Sequence, residues 1–258
     1  MAKYRKLTSR LIQELTDLRD SRKSIDDFSF NFLANFGEHC QLMHANLQKN
    51  QISKELVKVA YRQYFVFLVS CWETFFRDIF VYIYSRDSKS LELLLEKMNI
   101  TETTQILQNI TLSELLSKSF NFQNINDFES AYHSLWEEDF LEYICKTETD
   151  CCGLNGKVTK GFSITSLFPE WRKIIDESFK IRHKVIHDAN YRPEVGVDLI
   201  QQSEALFLML PQVVTYFIAK RFELRSIALS NGEYTVPYLF TVHDILANDW
   251  EVVDKIDI

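Results

Sequence analysis

The sequence predicts an all-α protein. Three observations carry that reading: chain-punctuating residues are scarce, apolar side chains recur at helical spacing over long stretches, and strong turn signals are few. The 258 residues include only 6 Gly and 4 Pro, where average usage would supply roughly 18 and about 13. A sandwich or barrel needs frequent Gly/Pro turns, and a disordered chain is usually rich in both residues. No two glycines stand in a G-x-G-x-x-G or G-x-x-x-x-G-K frame, which excludes glycine-cradled phosphate loops.

The elements follow in chain order. Residues 3–24 read as an amphipathic helix on Leu7, Leu11, Leu15 and Leu18, and 26–48 as a second on Phe28, Phe32, Phe36 and Met43. Residues 52–84 are apolar on nearly every face from Tyr61 to Tyr84, so this helix is expected to be central and buried. The charges of that centre, Arg62, Glu73, Arg77 and Asp78, stand out against the apolar background. Shorter helices are expected over 88–147. Thr111 with Glu114 has the capping-box form, and Asp127 is an expected N-cap for a helix through Tyr143. The polar stretch 146–162, which holds Gly153, Gly156 and Gly161, reads as a loop. A helix is expected from Pro169 to Ala189, then a connection at Arg192-Pro193 through Gly196, then a helix from Val197 to Leu224 with a kink at Pro211. Asn231-Gly232 is a hairpin signal, and His243 to Ile256 reads as a short closing helix.

The bulk numbers fit a globular chain: 46% hydrophobic and 25% charged residues. A net charge of −7 argues against a whole-surface nucleic-acid binder while leaving room for a local basic site. The basic N-terminus lacks a following apolar run, so no signal peptide is expected, and no 18-residue apolar run suggests a membrane span. Five Cys at irregular spacing favour reduced thiols in a cytoplasmic protein.

Chemistry concentrates in Phe179-Lys-Ile-Arg-His-Lys-Val-Ile-His-Asp188, where Arg182 and His187 form an R-x4-H arrangement. From Trp171 to Arg192, six basic residues stand against three acidic ones, a local +3 in a chain of −7. A cationic patch in an acidic protein suits an anionic ligand such as RNA. Glu73 and Arg77 form E-x3-R inside the most apolar helix. Charges placed there need partners, because an unpaired buried charge costs several kcal/mol; Arg182 on a facing helix is one candidate.

The pairing of E-x3-[K/R] on an early hydrophobic helix with R-x4-6-H on a late one resembles the HEPN superfamily of helical ribonucleases, in the style of bacterial RNase toxins and defence proteins. The residues that carry it are Glu73, Arg77, Arg182 and His187, over roughly residues 55–220. The family commonly has Asn after the motif Arg; this chain has His183, a second imidazole. The resemblance implies an antiparallel helical bundle over residues 1–225, with a core at about 55–225, an insertion at about 88–165 and an extension at 226–258. It implies metal-independent, cofactor-free RNA cleavage, in which the ribose 2′-OH attacks the adjacent phosphate to give a 2′,3′-cyclic phosphate. Arg182, His187 and Glu73 would be catalytic, with Arg77, His183, Lys184, Lys180 and Asp188 supporting them or binding RNA. It further implies a homodimer, an antitoxin or regulatory protein partner, and a role as a toxin or anti-phage effector.

The side chains fit that chemistry on their own terms. Imidazole, with an unperturbed pKa near ~6.5, can take or give a proton near neutrality. Arginine presents a fixed cationic fork to phosphate. Glu73 could orient Arg182 or neutralise Arg77. Five residues on an ideal helix turn through about 500°, so Arg182 and His187 lie about 140° apart. Either the helix unwinds near His187 or the site is assembled across a two-fold axis. Plainer accounts exist for the same residues: a solvated basic helix face with His187 as a C-terminal cap, an ordinary Glu73–Arg77 ion pair, or a non-catalytic RNA- or protein-binding module. His183 and His187 at i, i+4 lack the Glu of H-E-x-x-H and a third ligand. Cys145, Cys151 and Cys152 with His133 have no regular metal spacing. His39, His44 and His243 show no partner in the sequence.

Overall fold

The computed structural model describes residues 9–17, 19, 23–47, 53–100, 110–135, 139–153, 157–188, 190–192, 195–224 and 238–247. Among them are eleven helices and one two-stranded sheet, so the chain is all-α in class. The order is α1 (Ser9–Asp17), α2 (Ile25–Leu47), α3 (Lys54–Tyr84), α4 (Ser88–Lys97), α5 (Leu112–Ser117), α6 (Ile125–Tyr132), α7 (Phe140–Lys146), β1 (Thr149–Cys152), β2 (Val158–Phe162), α8 (Ile164–Leu167), α9 (Trp171–His187), α10 (Val197–Arg221) and α11 (Val242–Leu246). Packing divides the chain into two compact units, one from Met1–Phe28 and Glu73–Tyr143, the other from Ser29–Trp72 and Ile144–Ile258. Helices α2 and α3 run through both. No described helix is long and apolar enough to cross a membrane.

The first unit is built on aromatic residues. Phe76 and Phe80 of α3 meet Phe122, and Phe128 and Tyr132 of α6, with Phe76–Phe128 centroids 4.7 Å apart and Tyr132–Phe140 4.5 Å apart. Edge-to-face and offset pairs like these add to the area they bury. The buried phenols are satisfied: Tyr132 donates to the Phe76 carbonyl, and Tyr84 to that of Ala131 at 2.7 Å. The capping box at α5 forms as expected, with Thr111 Oγ1 accepting from the Glu114 N–H and Glu114 accepting from the Thr111 N–H. Thr111→Ala is expected to cost about 1 kcal/mol, read as a lower urea midpoint at unchanged slope.

Glu114 also accepts from Nε and Nη2 of Arg19, at 2.7 Å each. Burial alone would raise its carboxyl; the bonds from Arg19 and Thr111 outweigh that and hold it below its ordinary value of 4.5. A lowered folded-state value means stability that is complete above about pH 4.5 and lost as pH falls through the folded value. Glu114→Gln is expected to flatten that acid-side loss in thermal melts taken between pH 3 and pH 6.

The second unit packs α2, the first part of α3, α9 and α10. Ser29 meets Thr215 while Cys40 meets Glu204, so α2 and α10 run antiparallel. Trp72 sits against Phe179 of α9 and Phe207 of α10, and Ser178 and Ser203 share a buried hydrogen bond of 3.0 Å between those helices. Helix α10 is buried along most of its length and carries Pro211 inside it. Gln212 donates to the Leu208 carbonyl and exchanges two bonds with the Phe240 backbone, which ties down the segment before α11.

Several expectations need correction. Asn124, not Asp127, caps α6, because its side-chain oxygen accepts from both the Asn126 and Asp127 N–H groups. The helix ends at Tyr132, and α7 is separate. The stretch 146–162 is not simply loop: β1 and β2 pair antiparallel, and Gly161 takes a left-handed φ of 63° beside Glu148. Helix α9 starts at Trp171 and stops at His187, leaving Pro169 in the preceding turn. Helix α1 spans Ser9–Asp17 with Leu15 in the core; Leu7 and Leu18 lie outside the described residues, as do Ala189, Pro193, the Asn231-Gly232 signal and the chain beyond Ala247.

Candidate functional site

The last two turns of α9 gather most of the residues singled out by sequence. The apolar stripe Ile174, Ile175, Ser178, Phe179, Ile181 and Val185 is buried, which turns the charged side outward. His183, Lys184 and His187 are exposed and Arg182 is half-buried. The two imidazole rings, one helical turn apart, have centroids at 4.5 Å. Asp188 ends the helix. Its backbone is extended, its N–H reaches the Lys184 carbonyl at 2.8 Å, and its carboxylate accepts from the Asn190 N–H at 2.9 Å. The Lys184 ammonium lies 5.4 Å from the Tyr191 ring centre. Lys180 pairs with Asp176 in solvent, an exposed contact of little energetic weight. Cations in a final helical turn are also favoured by the helix dipole.

Helix α9 stays regular through His187, so it does not unwind before the motif histidine. Arg182 and His187 therefore remain about 140° apart on one helix.

The E-x3-R pair is formed within the first unit. Arg77 donates to one Glu73 oxygen and Gln123 to the other. The Arg77 guanidinium also lies 5.6 Å from the centre of the Phe122 ring. Glu73 is thus satisfied by neighbours of its own unit, and Gln123, fifty positions away, was invisible to spacing arguments. Arg62 and Asp78, the other charges in the apolar part of α3 after Tyr61, are buried.

The structure also assembles a polar cluster that sequence reasoning missed. Glu204, on the apolar helix α10, is almost fully buried. Its carboxylate accepts from His44 Nε2 at 3.0 Å, from the Cys40 thiol at 3.1 Å and from the Tyr64 hydroxyl. Burial alone would raise the Glu204 carboxyl, but these donors outweigh it and hold it below its ordinary value of 4.5. The carboxylate in turn raises the His44 imidazole above 6.5, and burial beside it pushes the Cys40 thiol and the Tyr64 phenol up. The available signal was a lone Glu on an apolar helix together with Cys and His at i, i+4. His39, by contrast, stacks on Phe67.

A mostly helical chain with E-x3-R on a buried helix and R-x4-H at the end of a later one has the makings of a HEPN domain. The chain belongs to the RiboL-PSP-HEPN family, whose pattern it matches over residues 40–218, well over half its length. Membership carries with it a HEPN-type, RNA-related function. No curated protein and no solved structure matches the chain.

Proposed function

We propose that this chain is a metal-independent endoribonuclease of HEPN type, acting as a toxin or anti-phage effector. The observation that carries the reading is the exposed end of α9, where His183 and His187 lie side by side at 4.5 Å, with Arg182 and Lys184 on the same two turns. A neutral imidazole takes the proton of a ribose 2′-OH as its oxygen attacks the adjacent phosphorus. The bond from phosphorus to the 5′-oxygen breaks, and that oxygen takes a proton from an imidazolium. The products are a 2′,3′-cyclic phosphate and a 5′-OH. Arg182 holds the phosphate and the extra charge of the transition state. Lys184 and Lys180 bind the flanking backbone, and Asp188 fixes where the helix ends. Glu73 and Arg77 are the other half of the family pattern; the Glu73–Arg77 bond keeps both charges in place.

Because Arg182 and His187 do not share a face, the working unit is a homodimer in which two copies complete each basic cleft. Ile186, 46% exposed beside His187, supplies apolar surface for that contact. Light scattering is expected to give a dimer, and Ile186→Glu a monomer with at least about 100-fold less cleavage. A fully active monomer would contradict the dimer.

The test of function is a single-stranded RNA substrate with no added metal, comparing wild type with His187→Ala and Arg182→Ala. Cleavage is expected from the wild type alone. Binding without cleavage by the wild type would assign the patch to a non-catalytic module. In cells, induction of the wild type should arrest growth, and induction of His187→Ala should not.

A further inference from the structure

We propose that Cys40, His44 and Glu204 form a Zn2+ site, with Tyr64 orienting the carboxylate. Cys40 and His44 are four residues apart on α2, so their side chains project from one face onto α10, where Glu204 waits. The Cys40 sulfur, the His44 ring nitrogen and a Glu204 oxygen all lie within 4.8 Å of one another. The sulfur and the imidazole nitrogen stand 3.1 Å and 3.0 Å from the same Glu204 oxygen. Zinc bonds of about 2.3 Å to sulfur and about 2.0–2.2 Å to nitrogen and oxygen put neighbouring ligands about 3.3–3.6 Å apart in a tetrahedron. The two short contacts to that oxygen need to open by about 0.3–0.5 Å to admit the ion, with the sulfur and the nitrogen within 4.8 Å of each other.

The donor set selects the metal class. Thiolate with imidazole and one carboxylate suits Zn2+ and disfavours Mg2+ and Ca2+, which prefer all-oxygen shells. Charge balance points the same way. When zinc enters, bonds form to the sulfur, the imidazole nitrogen and the carboxylate, while the thiol proton and any proton on His44 leave to solvent. One thiolate and one carboxylate then neutralise the dication, which suits a place where Cys40 and Glu204 are 0% and 2% exposed. The His44 side chain, 29% exposed, provides the way in and a solvent-side fourth position. Tyr64 keeps its proton and its bond to Glu204, the outer contact that metal-bound carboxylates usually have. The ion would fasten α2 to α10. It lies on residues the ribonuclease reading does not use and stands or falls separately from it.

The full chain, stripped of metal and checked for helicity by circular dichroism, is titrated with Co2+ as a spectroscopic stand-in and then with Zn2+. About one equivalent should bind, with a thiolate-to-cobalt charge-transfer band that Zn2+ abolishes. Cys40→Ser should remove the band. His44→Gln, at a part-exposed position that tolerates change, should weaken binding at least about 100-fold, since even residues outside the ligand shell can cost 10–100-fold. His187→Ala should bind as the wild type does, and RNA cleavage per folded molecule should be unchanged in His44→Gln. A folded wild type that takes up no stoichiometric Co2+ or Zn2+ overturns the proposal. So does binding left intact by His44→Gln, which would place the metal on the other cysteines.

Discussion

Replacing His187 with alanine is expected to lower RNA cleavage by about 10²–10⁴-fold, the range for losing a general acid or base. The loss should fall on kcat more than on KM, because an exposed imidazole contributes little to ground-state affinity for a polyanion, whereas Arg182 contributes to both. Arg182→Ala is expected to cost about 10²–10³-fold, comparable to removing one preorganised donor to a developing anion. Arg182→Lys should recover only part of that, since an ammonium keeps the charge and loses the planar fork. The double variant should be little worse than the worse single one, because residues acting on one transition state are not additive. His183 separates two arrangements. With its ring 4.5 Å from that of His187, it can be the second titrating group of the reaction. In that case the wild type shows a bell-shaped pH–rate profile, and His183→Ala loses one limb. An unchanged profile would mean that the second imidazole comes from the partner copy.

The largest expected effect on stability is at Glu204. It is 2% exposed and accepts from three side chains. Glu204→Ala leaves the Cys40, His44 and Tyr64 donors facing an apolar helix with no acceptor. Removing one partner from a buried charged network typically costs about 3–5 kcal/mol. Glu204→Gln keeps an acceptor oxygen and the volume, so the metal-free chain should lose less than half as much. The contrast, read from urea midpoints, separates loss of an acceptor from loss of packing. Equal losses in the two variants would show that the negative charge itself holds the cluster together.

The helices were legible because their cause is local. Apolar residues at helical spacing and a shortage of Gly and Pro specify long elements without knowledge of the partner, and the Thr111–Glu114 box lies within one turn. The misses have equally physical causes. Asn124 and Asp127 are both competent caps three positions apart, and the choice depends on where Phe128 and Tyr132 find the aromatic core. The hairpin hid because β1 and β2 are four and five residues long, with only Cys151, Cys152 and Phe162 buried among them, too short for alternation to rise above a polar loop. The R-x4-H helix end was readable as a spacing. The second partner of Glu73 and the partners of Glu204 were not, because Gln123 and His44 come from chain positions 50 and 160 residues away. A carboxylate on an apolar helix announces that it needs a partner and gives no indication of which one.

The most direct measurement is the chemical nature of the ends left on a short RNA of defined sequence, cut by the purified chain without added metal and resolved by mass spectrometry. A 2′,3′-cyclic phosphate and a 5′-OH, absent with His187→Ala, are the expected products. A 3′-OH with a 5′-phosphate, or no cleavage at any pH between 5 and 9, would contradict attack by the 2′-OH at the end of α9.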